Sequence, residues 1–291
     1  MTAPEIIVST LIGHRDVGTG LTCLPTLVKH SREPVRFQLH DDGSLTDNDR
    51  ERLFEQLPVH NIISRRQADA IVRERLNHYP FCARYRHRYA YGLKLFDTLM
   101  LAPGDDLAFC DTDIFFLRPF SGLFSWPDEE TGALMMQDYQ NAYAFRPWHL
   151  AMQRELKMPA RINSGLFLFR RRHFDLDFIE WLMERNQAFF ESRAQWVEQT
   201  SWSALGWRCG GRVWNERQIR VMRDEASLTD DLVAAHFVTP VRGLLPRAAE
   251  RSQEGCEPVQ IPTEPMQRLY PLGLLQEQAS QFWCRKMGRS A

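Results

Sequence analysis

Between residues 5 and 110 the chain alternates short apolar runs with helical patterns four times, and this narrows the possible folds more than any other feature. Residues 5–11 read as a strand and residues 21–30 as a helix. Residues 35–40 form the next predicted strand, closed by the turn Asp41-Asp42-Gly43-Ser44. Thr46 then caps a helix running to Gln56, with Asp49 at its third position. Residues 59–63 read as a third strand, and helices are predicted over residues 67–76 and 84–99. Pro103-Gly104 stops the last of these before a buried strand at residues 107–110. Such repetition predicts an α/β fold, a parallel sheet flanked by helices, in which ligands sit in the turns at the carboxyl ends of strands. Beyond Pro119 the pattern loosens, with strands expected at residues 133–137 and 166–170 and helices at 174–190 and 197–205. After Val241, Pro246, Pro258, Pro262, Pro265 and Pro271 indicate a wrapping tail, and residues 274–286 a final helix packed back on the domain. The expected organisation is one domain over residues 1–241 and a tail over 242–291.

Composition removes several classes of function. With 291 residues, 44% hydrophobic and 11% aromatic, the chain can bury a large core and is not disordered. Lys+Arg of 36 against Asp+Glu of 37 leaves a net charge of −1, so no global field draws it to nucleic acid or an anionic membrane. Any affinity for anions is local. The longest apolar stretches fall far short of the roughly 18 residues a membrane-spanning helix needs, which leaves peripheral contact as the only membrane association to expect. Ile6-Ile7-Val8 has no basic residue before it and reads as a first strand rather than a signal peptide. The six cysteines form no CxxC pair, which fits free thiols and a cytoplasmic address.

Asp111-Thr112-Asp113 is the most suggestive site, because an apolar strand delivers two carboxylates to its carboxyl end, where Mg²⁺ or Mn²⁺ can be held together with a diphosphate. Asp47-Asn48-Asp49 and Asp175-Leu176-Asp177 share the pattern, but they open predicted helices, where acids favour the helix dipole without any ligand. Only the Asp111 pair interrupts an apolar stretch.

Further landmarks follow a recognisable order. Tyr91-Gly92-Leu93-Lys94-Leu95-Phe96, then residues 107–113, then Asn163-Ser164-Gly165-Leu166-Phe167-Leu168-Phe169, and finally His236-Phe237 resemble nucleotide-sugar-dependent glycosyltransferases of the GT-A fold. The likeness is to the glycogenin and bacterial lipopolysaccharide galactosyltransferase-like group, called family 8, over roughly residues 5–241. The turn from Asp41 to Thr46 is similar to the post-strand turn of many such enzymes.

The resemblance implies a Rossmann-like, mostly parallel sheet and a metal-dependent transfer of a hexose from a UDP-sugar to a hydroxyl of a glycan or lipid-linked acceptor, with retention of configuration. It implies Asp111, Asp113 and His236 as ligands of Mn²⁺ or Mg²⁺, with the metal neutralising the leaving diphosphate. It places Thr10, Asp41, Lys94, Asp111, Thr112, Asn163, Ser164 and Gly165 around the nucleotide-sugar, Asp111 near the ribose. Glu198-Gln199 occupies the place beside the reacting sugar, with Glu where the commoner residue is Asp, and Asp138 is a further ligand for sugar hydroxyls.

Plainer readings stand beside these. His236, between Ala235 and Phe237, also suits a core histidine; Lys94 also suits a solvated helix face; Asn163-Ser164-Gly165 also suits a simple turn. Arg65, Arg66, Arg73, Arg75, Arg84, Arg86 and Arg88 form either a phosphate or acidic-acceptor surface or a solvated face, and Trp148, Trp202, Trp207 and Trp214 either an acceptor platform or core. Two other functions compete: a haloacid-dehalogenase-type phosphatase with Asp111 as nucleophile, and a catalytically inactive sugar-nucleotide-binding module. Against the phosphatase, Phe115 stands where its motif continues with Thr or Val.

Overall fold

β1 (Ile6–Ile12), β2 (Val35–Asp41) and β3 (Val59–Ile63) are the first three expected strands, and in the computed structural model, which describes residues 5–286, they lie parallel in the order β3-β2-β1. β4 (Asp106–Cys110) adds in parallel on the other flank of β1, so the strand order reverses between β1 and β4. A reversal of this kind leaves a crevice outside the carboxyl ends of the two strands, because their following segments diverge to opposite sides.

The rest of the sheet turns back towards that crevice. The strands after β4 are β5 (Ile114–Phe116), β6 (Phe120–Ser121), β7 (Ala133–Gln137), β8 (Ile162–Arg170), β9 (Arg212–Trp214), β10 (Ile219–Val221) and β11 (Ala234–His236). The order continues β4-β8-β7-β10-β11-β5, with β8 antiparallel to both neighbours and β5 antiparallel to β11. Only residues 111–113 separate β4 from β5 in the chain. The four Cα steps from Cys110 to Ile114 span at most about 15 Å, whereas five strand spacings laid flat would take about 24 Å. The sheet therefore curls, and the curl carries β11 to the end of β4.

Helices cover both faces. α1 (Val17–His30) and α2 (Asp47–Gln56) lead into α3 (Arg65–Arg75), α4 (Pro80–Arg88) and α5 (Ala90–Met100). α2 opens with the expected capping box between Thr46 and Asp49, and Asp175 accepts a hydrogen bond from the Phe178 backbone N–H at the start of α7 (Leu176–Arg185), which follows α6 (Pro147–Met152). Both of the other Asp-x-Asp patterns thus serve helix ends. One helix was expected over residues 84–99, but the backbone is extended at Tyr89 and separates α4 from α5. The bend lets the Arg86 guanidinium reach Asp97 with two hydrogen bonds, of 2.6 and 2.8 Å. Eleven residues along a straight helix would hold them about 16 Å apart.

α8 (Gln187–Ser192) and α9 (Ala194–Arg208) follow α7, so the expected helix over 174–190 is two helices with a break at Asn186. β8 begins four residues before the expected 166, which puts Asn163-Ser164-Gly165 inside a strand rather than in a turn. Its side chains alternate between two cores: Phe167 and Phe169 pack with Trp202 and Met135 on one face, Leu166 and Leu168 with Phe37 and Trp214 on the other. The tail contributes α10 (Leu245–Glu250), β12 (Val259–Gln260) beside β6, β13 (Thr263–Pro265) beside β9, and α11 (Pro271–Lys286). Met266, Leu269 and Leu274 from this tail are buried in the Trp202 core.

Candidate active site

β4 is apolar from Leu107 to Cys110, and the chain leaves it through Asp111-Thr112-Asp113, so both carboxylates emerge at the crevice. β5 follows at once and pairs with β11 in a register that sets His236 opposite Ile114. That register brings His236 Nε2 to 2.9 Å from Asp113 Oδ1 and 3.9 Å from Asp111 Oδ2. One ligand atom from each of the three residues lies within 4.8 Å of the others.

Asn163, on β8, sets the state of the imidazole. Its Oδ1 accepts the Gly165 backbone N–H at 2.8 Å, and its Nδ2 donates to Asp138 Oδ2 at 3.1 Å. The same Oδ1 lies 3.0 Å from His236 Nδ1, so this hydrogen-bond network assigns the ring proton to Nδ1. Nε2 then faces two carboxylates with a lone pair, an arrangement that a proton or a cation between them resolves. An oxygen-rich set with one imidazole suits Mn²⁺ and, less well, Mg²⁺. The donor set therefore fits a divalent metal. Gly165 is required here because a Cβ on it would lie 2.6 Å from His236 Cε1.

Two cations border the carboxylates. Lys94, on α5, is buried over the Phe109 ring and donates to Asp111 Oδ2 at 2.9 Å, with Glu198 Oε1 at 3.7 Å; it is not on a solvated face. Arg242 donates to Asp113 Oδ2 at 2.8 Å and lies 3.8 Å from Asp16. Sequence reasoning missed Arg242, which lies beyond the limit of the recognised stretch. The signal that marks it is its six-residue separation from His236, short enough for the turn after β11 to return to the same crevice.

Glu198 and Gln199 are carried by α9. Ser164 donates to Glu198 Oε2 at 2.9 Å, while Oε1 is buried without a hydrogen-bond partner. Burial raises the Glu198 carboxyl to about 7 in spite of the nearby Lys94. Burial also raises Asp111 and Asp138 above the usual carboxylate range. Burial disfavours the charge on Asp113 too, but His236 and Arg242 outweigh it and hold that carboxyl at about 2. His236 is raised, the attraction of Asp113 exceeding the effect of burial.

These groups line one cavity of about 740 Å³, together with Asp16, Asp42, Thr112, Asp138, Asn163, Ser164, Gly165 and Gln199. Two of the residues expected around the nucleotide-sugar lie elsewhere. Thr10 is fully buried, and its hydroxyl donates to the Cys110 carbonyl of the adjacent strand β4. Asp41 turns to Arg50 and to the backbone N–H groups of Gly43 and Leu45, and Asp42 lines the cavity in its place. None of Trp148, Trp202, Trp207 and Trp214 lines it, and Trp202 and Trp214 are fully buried; Tyr91, Tyr139 and Trp196 are the aromatics of its wall. The basic segment is spent largely on internal contacts: Arg86 with Asp97 and Asp69, Arg65 and Arg73 with Asp69, and Arg75 with the Met100 carbonyl.

The strand reversal at β1, the antiparallel β8 and the sheet that curls back to β4 are the topology of the GT-A glycosyltransferase fold, and the chain has that fold. Among solved structures it is similar to the galactosyltransferase LgtC in complex with donor and acceptor sugar analogues, at 11% identity and a TM-score of 0.51, over 87% of this chain and 98% of that one. An active-site mutant of LgtC matches at 13% identity and 0.52 over the same shares, and apo mouse xyloside xylosyltransferase 1 at 9% and 0.52, over 82% of this chain and 99% of that one. No protein-family model and no curated protein matches the sequence.

Proposed function

We propose that the protein is a metal-dependent glycosyltransferase that transfers a hexose from a UDP-sugar to a hydroxyl of a glycan or lipid-linked acceptor, with retention of configuration. The observation that carries this reading is the convergence of Asp111, Asp113 and His236 Nε2 in a cavity whose other carboxyl groups are Asp16, Asp42, Asp138 and Glu198, against Lys94 and Arg242 as fixed cations. Such a wall repels a bare diphosphate, so the anionic donor enters with a cation. A divalent metal held by the three ligands would act as a Lewis acid on the departing nucleoside diphosphate.

The chain's own groups do the remainder. Lys94 and Arg242 stand beside the two metal-binding carboxylates and stabilise charge on the leaving phosphate oxygens. Asn163 orients His236 and Asp138 together, and Ser164 orients Glu198, so two carboxyl groups are held on either side of Asn163-Ser164-Gly165 to accept sugar hydroxyls. Gln199 donates to the Ala142 carbonyl, which fixes its amide at the cavity wall beside Glu198. With retention the leaving diphosphate takes the acceptor proton; with inversion Asp138 or Glu198 is the available base. LgtC, with its bound donor and acceptor sugar analogues, supports a glycosyltransferase over the phosphatase reading. The free thiols of Cys23, Cys82, Cys110, Cys209 and Cys256 keep a cytoplasmic address as part of the proposal. No helix among the described residues is long and apolar enough to cross a membrane.

The test is a panel of nucleotide-sugars with Mn²⁺, read by released nucleoside diphosphate. The expected result is UDP released from a UDP-hexose, abolished by EDTA and by Asp113→Asn. Donor binding without release from any sugar identifies the inactive module instead, and absence of nucleotide binding overturns the proposal.

A further inference from the structure

We infer that Glu277, on the terminal helix α11, is a positioning residue for Asp138, acting through Asn141 and the backbone of Arg161; the inference rests on the reading of Asp138 as a ligand for hydroxyls of the donor sugar. Asp138, Tyr139, Gln140 and Ala142 form one wall of the cavity, and Asn141 is the residue of this run that does not line it. It is turned to α11 instead. Its backbone N–H donates to Glu277 Oε1 at 2.8 Å, and its side-chain Nδ2 donates to Glu277 Oε2. Gln281, one turn further along α11, donates to Glu277 Oε1 at 3.2 Å and to Gln140 Oε1 at 3.3 Å.

A carboxylate only accepts, so Glu277 decides which end of the Asn141 amide faces it. The Nδ2 end is taken, and Oδ1 is left to accept the backbone N–H of Arg161 at 2.7 Å. Arg161 is the one non-glycine residue with a positive φ, 51°, among the described residues, a left-handed conformation that an L side chain adopts only where its surroundings hold it. Its own side chain does little of this: the guanidinium is 40% exposed and lies 3.7 Å from the Glu216 carboxylate, which is 45% exposed. What holds the turn is a pair of bonds from its backbone, the N–H to Asn141 and the carbonyl, which accepts the Asp138 N–H at 2.7 Å.

That last bond connects the helix to the cavity. The β7–β8 ladder is irregular between Met135 and Met136 and ends with Gln137 opposite Ile162, so the Arg161 carbonyl is what continues the pairing to Asp138. Asn163 Nδ2 and the Gln140 N–H steady the Asp138 carboxylate, at 3.1 and 3.2 Å, but neither fixes the backbone that carries it. When Glu277 releases Asn141, the left-handed turn at Arg161 loses its restraint and its carbonyl turns from Asp138. The Asp138 oxygens then shift relative to His236 and Glu198, which stand on β11 and α9. A small displacement of a group that contacts the sugar costs rate without touching the nucleotide.

The experiment compares the full chain with Glu277→Gln, Asn141→Asp and the double variant. The first removes one of two acceptors and the second sets two carboxylates against each other. In the double variant the new amide donates to the new carboxylate, whose other oxygen accepts the Arg161 N–H, so the pattern is restored. With Mn²⁺ present, UDP release from UDP-glucose and UDP-galactose gives kcat/KM, and calorimetry gives the affinity for UDP. Each single variant is expected to lose about tenfold in kcat/KM while binding UDP as the parent does, and the double variant to return to within about twofold of the parent. Amide hydrogen exchange at Asp138 in the metal-free protein is expected to quicken in the single variants and to recover in the double. Single variants with parental exchange and rates, a double variant no better than either single one, or a loss of UDP affinity equal to the loss in kcat/KM overturns the assignment. A parent that neither binds nor releases UDP overturns the nucleotide-sugar reading instead, and the exchange measurement then still decides whether Glu277 sets Asp138. Melting temperatures of the unliganded proteins show that the variants are folded.

Discussion

Glu198 joins the two demands made on a residue at this site: it is buried beside a lysine, and one of its oxygens has no hydrogen-bond partner. Its carboxyl is raised from the ordinary 4.5 to about 7, burial being the largest cause. Between those two pH values the native protein keeps a proton that the unfolded chain has lost, so stability falls as pH rises from about 4.5 towards 7 and this contribution is constant above it. Glu198→Gln is expected to flatten that part of the curve, seen in urea unfolding of the metal-free protein at a series of pH values. Identical slopes in parent and variant reject the assignment. The depressed Asp113 acts in another window, since its stabilisation is present above the ordinary carboxylate value and lost as pH falls towards about 2. At the same scale His236 shows what a local sequence can and cannot say. Ala235 and Phe237 are both buried, as a core histidine would require, but the imidazole belongs to the cavity because Asn163, 73 residues away, turns its Nε2 to the Asp pair.

At the scale of elements, the placing of Lys94 depends on the bend between α4 and α5. Gly92 packs on the backbone of Arg86, where a Cβ would lie 2.8 Å from the Arg86 nitrogen, and the Arg86–Asp97 pair is 4% and 3% exposed. The pair ties the two helices together, and Asp69 of α3 adds a third anchor to Arg86 at 2.7 Å. Asp97→Ala leaves a buried guanidinium with only part of its compensation, and is expected to cost about 3–5 kcal/mol in urea unfolding. A loss within the range of ordinary surface substitutions, about 0.5 kcal/mol, means that the pair does not hold the helices. The sequence pattern called for helix through this whole segment because its apolar residues keep a helical spacing on both sides of Tyr89. The break follows from a pairing between residues distant along a helix, which periodicity cannot register.

Over the whole molecule, the tail is part of the body that positions the site. It carries Arg242 to Asp113, pairs β13 with β9 and buries Met266, Leu269 and Leu274 beside Trp202. Ending the chain at residue 241 is expected to yield a protein without a cooperative thermal transition; a truncated chain that melts as sharply as the parent and still titrates Mn²⁺ refutes this. By itself the sequence determined the elements whose signals are local: β1 to β4 from apolar runs, α2 from its capping box, and Asp111 and Asp113 from carboxylates ending an apolar strand. Its ordered landmarks also led to the GT-A likeness. The tertiary structure decided the rest. The short strands β9, β10 and β11 hold too few residues for a period to emerge, and Asp42 and Arg242 reach the cavity through a ladder and a turn rather than through any motif. A local pattern records which face of an element is apolar. Which polar residues meet depends on a sheet that must curl to bring β5 back to β4, and that closure is a property of the whole path.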